Sequence, residues 1–228
     1  IVDVGIARGW YLDAVVMERL GQERDVRWAM RRAASAGDPD GLRGWAMILR
    51  GEERFGPAIR ALRRAAVLKP DPVWDALELD WRYWAGDGSV TPEQLAAAAR
   101  VESSVAMTYG YMLRARGEVE QAERQFEAAA EAGQWQAWLP LGNIADEAGN
   151  LELALERYQK VVDQGDSHGM FKMASTLSKL GRDAEADKLF QQAAAEDRWA
   201  RRLLSSERRQ RLRECRRRGS SQIRTPAG

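Results

Sequence analysis

Apolar residues in the C-terminal half of the chain fall at helical spacing. Trp138, Leu141, Ile144, Ala145 and Ala148 recur every three to four residues, which predicts a helix over about 136–148. Gly149-Asn150 then interrupts the pattern, and Gly suits the left-handed conformation that ends a helix. A second apolar stripe follows, made of Leu151, Ala154, Leu155, Tyr158, Val161 and Val162, and Gly165-Asp166 closes it. Pro140 falls near the start of the first helix, where a slight kink is expected. No stretch alternates apolar and polar residues as a half-buried strand would, and no Asn-Gly hairpin signal occurs.

The helical pattern repeats in a longer frame. Gly117, Gly149 and Gly181 are 32 residues apart, and so are Ala122, Ala154 and Ala186, and Phe126, Tyr158 and Phe190. Gly110, Gly142 and Ala174 keep the same step. A period of this length marks stacked supersecondary units, here about 103–134, 135–166 and 167–198. Small residues such as Ala122 and Ala154 let paired helices approach, while Phe126, Tyr158 and Phe190 fill the space between them. Each pair leaves an apolar face for the next to cover.

The frame can be followed upstream. Gly21, Met30, Ala33 and Gly37 match Gly149, Tyr158, Val161 and Gly165 in spacing. Gly44 and Gly51 keep the separation of Gly142 and Gly149, which places two extra residues in the turn near Phe55-Gly56, before a helix carrying Ala58, Leu62 and Ala65. A divergent pair has its first helix at about 73–85, with Trp74, Trp81 and Trp84, and a Gly86-Asp87-Gly88-Ser89 turn. Thr91-Pro92-Glu93-Gln94 then reads as N-cap, first-turn proline and capping-box glutamine. Six helix pairs result. Trp199, Leu203 and Leu204 suit a capping helix over the last pair, and disorder is expected from 219 to 228.

These residues resemble tetratricopeptide repeats. Trp138, Leu141-Gly142, Gly149, Ala154, Tyr158 and Val161 stand in that family's order, and Pro70 resembles its closing proline. Ala33-Ala34-Ser35-Ala36-Gly37-Asp38 and Ala128-Ala129-Ala130-Glu131-Ala132-Gly133 are similar to the related Sel-like repeats of bacteria. The resemblance covers about 7–198, with units shorter than the family's usual ~34 residues. It implies an all-α, right-handed α-solenoid of about six helix-turn-helix repeats with a C-terminal capping helix. The repeat domain would span 1–197, with the cap and an arginine-rich tail over 198–228.

Charge adds a second pattern. Residues 1–100 carry 15 basic and 15 acidic groups, 101–197 carry 9 and 17, and 198–228 carry 11 and 2. The near-neutral whole therefore hides an acidic region followed by a basic tail. No apolar run reaches the ~18 residues of a membrane helix. The single cysteine, Cys215, excludes an internal disulfide and a cysteine-based zinc site, and fits a reducing, cytoplasmic setting. The first residue is Ile1 rather than Met, so a processed or excised chain is expected, and an upstream signal or effector domain could be missing from it.

Candidate chemistry is sparse. His168 is the only histidine and has no Cys or His cluster around it in sequence. The carboxylate pairs Glu52-Glu53, Asp146-Glu147 and Glu196-Asp197 fall at helix ends, where solvation explains them. The Gly86–Ser89 loop lacks the strand and lysine of a phosphate loop. The expectation is a non-enzyme without cofactor or metal. By the resemblance, the exposed side of the first helices forms a groove lined by Tyr11, Trp45, Tyr83, Tyr111, Arg114, Asn143, Asp146, Lys172 and Lys179, suited to a protein or peptide ligand. Asn143 and Lys172 match only part of the family's carboxylate clamp. The tail, with Arg208, Arg209, Arg211, Arg213, Arg216, Arg217 and Arg218, has several readings. It could contact nucleic-acid phosphates or an anionic membrane. It could fold onto the acidic units of its own chain or of a second copy in a homo-oligomer, or simply be solvated.

Overall fold

A computed structural model describes residues 4–198 and 200–202. The described residues form twelve α-helices and no strand. In chain order these are α1 (Val4–Arg19), α2 (Glu23–Ser35), α3 (Pro39–Gly51), α4 (Phe55–Leu68), α5 (Pro72–Trp84), α6 (Pro92–Val101), α7 (Ser104–Ala115), α8 (Val119–Glu131), α9 (Trp138–Glu147), α10 (Leu151–Val162), α11 (Ser167–Lys179) and α12 (Asp183–Glu196). They are six helix-turn-helix pairs in an all-α solenoid, and each pair follows the 3.6-residue apolar periodicity. The described residues form two compact units, divided between Ala128 and Ala129.

The chain marks its own helix starts. Asp38, Asp71 and Asp166 each accept a backbone N–H of the following helix, from Gly41, Val73 and Gly169. Thr91 and Gln94 form the reciprocal capping box at the start of α6. Ahead of α9, residues Trp135–Ala137 form a 3-10 turn, so the helix expected from 136 begins at Trp138. Pro140 lies in the first turn of α9, where no N–H is needed.

In the first unit, Leu42, Ala46, Leu49, Leu62, Trp74 and Trp81 form the largest apolar cluster. Val90, Leu95, Ala98, Val105 and Met112 form a second one under α5, α6 and α7. In the second unit, Tyr158 is fully buried against Ala145 and Ala154, while Phe171 and Phe190 meet edge to face at 5.0 Å. Ala200 is buried in that last cluster. Of the expected cap, Trp199, Leu203 and Leu204 lie outside the described residues, as does the arginine tail.

The turn between the two helices of each pair is marked by a positive φ. It falls on Gly21, Glu53, Gly86, Gly117, Gly149 and Gly181. From 21 to 53 is 32 residues, then 33 to 86, 31 to 117, and 32 to each of 149 and 181. The upstream register expected from Gly44 and Gly51 is therefore corrected by two residues, and no insertion follows Gly51. Gly51 ends α3, and Glu53 occupies the left-handed position with φ 59°. Gly44 is small for another reason: a Cβ there would overlap the Met30 thioether of α2.

Glu53 is the only described non-glycine residue with positive φ, and it is exposed. An L-residue is strained there by about 1–2 kcal/mol. Glu53→Gly is therefore expected to raise stability by about 0.5–1 kcal/mol, read as an upward shift of the urea midpoint with an unchanged slope.

Candidate functional site

Counting back from each turn residue gives the true equivalences between first helices. Six before the turn stand Val15, Met47, Asp80, Tyr111, Asn143 and Ser175. Three before it stand Glu18, Arg50, Tyr83, Arg114, Asp146 and Ser178. Two before it stand Arg19, Gly51, Trp84, Ala115, Glu147 and Lys179. Tyr83, Arg114 and Asp146 thus share one register position, and Tyr111 and Asn143 share another.

In the first unit, α5 and α7 bring together an aromatic ladder. Tyr83 and Trp84 lie edge to face at 5.5 Å, Trp84 and Tyr111 at 5.7 Å, and Tyr111 and Phe126 at 5.1 Å. Phe126 can approach because position 110 is glycine; a Cβ there would sit 2.7 Å from the Phe126 ring. Trp84 is 43% exposed, while Phe126 is fully buried, so the ladder runs from the core to the surface. Burial pushes the Tyr111 hydroxyl above its usual range, with Arg114 opposing.

Beneath the ladder lies a polar chain. Trp84 Nε1 donates to Thr108 Oγ1 at 2.8 Å, and Thr108 Oγ1 donates to Asp80 Oδ1. Asp80 is only 4% exposed. Burial raises the pKa of its carboxyl, and the bond from Thr108 and the charge of Arg50 offset this in part. The folded state therefore binds the proton more tightly than the unfolded chain. On this group's account, stability falls as pH rises from the ordinary carboxylate range through the raised value. Asp80→Asn is expected to have the higher thermal midpoint at pH 7.5, and its advantage over the parent should shrink as pH is lowered towards 4.5.

In the second unit, Asn143 is engaged inside the fold: Tyr158 Oη donates to Asn143 Oδ1 at 2.8 Å. Asp146 is shared between neighbours, accepting from Thr176 Oγ1 at 3.0 Å and Lys179 Nζ at 2.5 Å. Lys172 is exposed on α11, and its carbonyl, 3.1 Å from Thr176 Oγ1, is the alternative acceptor for that hydroxyl proton. Of these four expected groove residues, Lys172 and Lys179 are exposed, Lys179 is paired with Asp146, and Asn143 and Asp146 are part-buried in bonds to their neighbours.

The remaining expected groove residues are placed differently. Tyr11 is half-buried under Arg8, whose guanidinium sits 4.5 Å from its ring centre and pairs with Asp40 at 2.5 Å. Burial disfavours charge on Asp40, yet the Arg8 hydrogen bond and Lys69 hold its pKa below the usual value. Trp45 follows the mistaken two-residue register: its equivalent in the groove frame is Met47. The Trp45 indole instead lines a cleft with Arg31, Leu42, Arg60 and Arg64. Trp84, Asp80 and Thr108 were missed as site residues. Trp84's place two residues before the turn, where Lys179 also stands, was the signal for it.

Residues 86–89 form a closed turn. Asp87 Oδ1 accepts from the Ser89 backbone and hydroxyl, and Arg82 Nε donates to Asp87 Oδ2 at 2.7 Å. These bonds, those from Ser89 foremost, lower the Asp87 pKa to about 2. Among the described residues, no group of three or more His, Cys, Asp or Glu is placed to hold a metal, and no helix is long and apolar enough to cross a membrane.

No protein-family model matches the sequence, and comparison with curated proteins gives no match. Solved structures do match. The chain is similar to one in the APC/C hetero-tetramer Cut9–Hcn1, with a TM-score of 0.71 and 14% identity over 88% of this chain and 42% of that one. It therefore spans under half the length of that relative. It is similar to a tetratricopeptide repeat protein from Parabacteroides merdae, with a TM-score of 0.63 and 12% identity over 87% of this chain and 83% of that one. It also resembles c5321, a protective antigen of uropathogenic Escherichia coli strains with a Sel-like repeat fold, with a TM-score of 0.56 and 22% identity over 77% and 42% of the two chains. The fold is that of tetratricopeptide and Sel-like repeat proteins.

Proposed function

We propose that this tetratricopeptide-like stack is a non-enzymatic scaffold that binds a protein or peptide on the exposed side of its first helices. The observation that carries this reading is the surface-reaching ladder of Tyr83, Trp84 and Tyr111, anchored on buried Phe126. Aromatics held in this way supply contact area at little cost in side-chain entropy, and such residues dominate binding energy at interfaces. In the second unit, Lys172 adds an exposed ammonium that suits a carboxylate or backbone carbonyl of an extended ligand. The fold supports the same reading: one chain of like fold is part of the hetero-tetramer Cut9–Hcn1.

Asn143 is a poor choice for a test. Removing it leaves the buried Tyr158 hydroxyl without its acceptor, at a stability cost of about 1–3 kcal/mol. Trp84→Ala combined with Lys172→Glu alters surface-reaching groups instead; Trp84 also donates to Thr108, so circular dichroism and the thermal midpoint of the variant are checked against the parent. Affinity capture from a source lysate, quantified by mass spectrometry, should recover partners with the parent chain and lose them about tenfold or more with this variant. Equal recovery by both would exclude the first-helix face as the binding surface.

A further inference from the structure

We propose that the cleft between α2 and α4 is a second binding site, for a carboxylate-rich peptide segment of a partner protein. A cavity of about 280 Å³ lies between these helices, and a second of about 340 Å³, lined by α2 alone, adjoins it through Arg31 and Ser35. Arg60 and Arg64 of α4 enter the first, over a floor of Leu42 and Trp45. Arg32 and exposed Trp28 enter the second, with the Arg32 guanidinium 5.4 Å from the Trp28 ring centre.

The four guanidinia of Arg31, Arg32, Arg60 and Arg64 are exposed, and none makes an ion pair among the described residues. Their neighbours differ. Arg27 pairs with Glu52, and Arg63 donates two bonds to Glu78, at 3.0 and 2.6 Å. Glu52 and Glu78 are thus engaged elsewhere, and α4 contains no acidic residue. Arg60 and Arg64 stand four apart on one helix, where like charges repel. An entering anion relieves that repulsion.

The chemistry of the lining selects carboxylates beside apolar groups. Guanidinium forks bind a carboxylate through two parallel hydrogen bonds, and an indole wall holds the guanidinium plane. Leu42 and Trp45 offer an apolar floor for an adjoining side chain. The cavities have room for a few side chains. A polynucleotide instead needs a row of cations tracking several phosphates.

The test is fluorescence anisotropy on the full chain with three fluorescein-labelled probes. These are a peptide alternating Glu with Phe and Leu, its Gln counterpart, and short oligo-deoxythymidylate. The acidic peptide should bind, with the Gln peptide weaker by about tenfold or more. Arg60→Glu with Arg64→Glu should abolish that preference, and Arg60→Gln with Arg64→Gln should weaken binding by an intermediate factor. Circular dichroism of each variant should match the parent. Arg208→Glu with Arg209→Glu should leave peptide affinity unchanged, and so should Trp84→Ala with Lys172→Glu, which separates this site from the first-helix face. The proposal is overturned if the acidic peptide does not bind, or if cleft substitutions leave its affinity unchanged. It is equally overturned if oligo-deoxythymidylate binds more tightly and is the probe that those substitutions release.

Discussion

Tyr158→Ala is expected to destabilise the chain by about 3–5 kcal/mol. Tyr158 is fully buried, packs against Ala145 and Ala154, and anchors its hydroxyl on Asn143. Truncation removes the ring's contacts, opens a cavity and strands the Asn143 acceptor. Tyr158→Phe isolates the last of these and should cost only about 0.5–1.5 kcal/mol. Urea unfolding of both variants separates ring from hydroxyl. In a stack stabilised by neighbour contacts, hydrogen exchange in Tyr158→Ala should accelerate in α9 and α10 first and in α11 next.

Gly142→Ala is the complementary experiment, adding volume where Tyr158→Ala removes it. A Cβ at position 142 would lie 2.6 Å from Tyr158 Cδ1, inside contact distance. Overpacking of this kind costs about 1–3 kcal/mol. In the next pair Ala174 occupies the same register position and Phe190 that of Tyr158, both buried. Tyr158→Leu removes the ring that the added Cβ would meet and should rescue much of the Gly142→Ala loss. A double-mutant cycle on thermal or urea midpoints measures the coupling, and simple additivity of the two changes would contradict the packing described.

Much of this architecture was legible because the repeat writes it more than once. Gly117, Gly149 and Gly181 each carry the positive φ of a helix-pair turn, as their common spacing implied. The frame slipped only where the marker residue changed identity. Glu53 stands in the glycine's place, and Gly44 and Gly51 happen to imitate the spacing nearby. That slip moved Trp45 into the expected groove, although its indole lies in the α2–α4 cleft.

The site was less legible than the fold. Which side an aromatic faces depends on a register of one or two residues. Trp84 and Asp80 lacked a repeated counterpart of their own type, since Lys179 and Asn143 stand at their positions in the second unit. The pairing of Thr108 with Asp80, 28 residues apart, arises only when α5 meets α7. The unpaired state of Arg60 and Arg64 needed the partners of Arg27 and Arg63 to be known first.

Site-specific photo-crosslinking tests the central functional reading most directly. A benzophenone side chain replaces Tyr111 or Ser175 on the first-helix face, and Glu156 or Gln191 on exposed positions of second helices. Illumination in a source lysate should join a discrete protein partner at Tyr111 and Ser175 and leave Glu156 and Gln191 unreacted. Crosslinks confined to Glu156 and Gln191 would place recognition on the opposite helices and contradict the account.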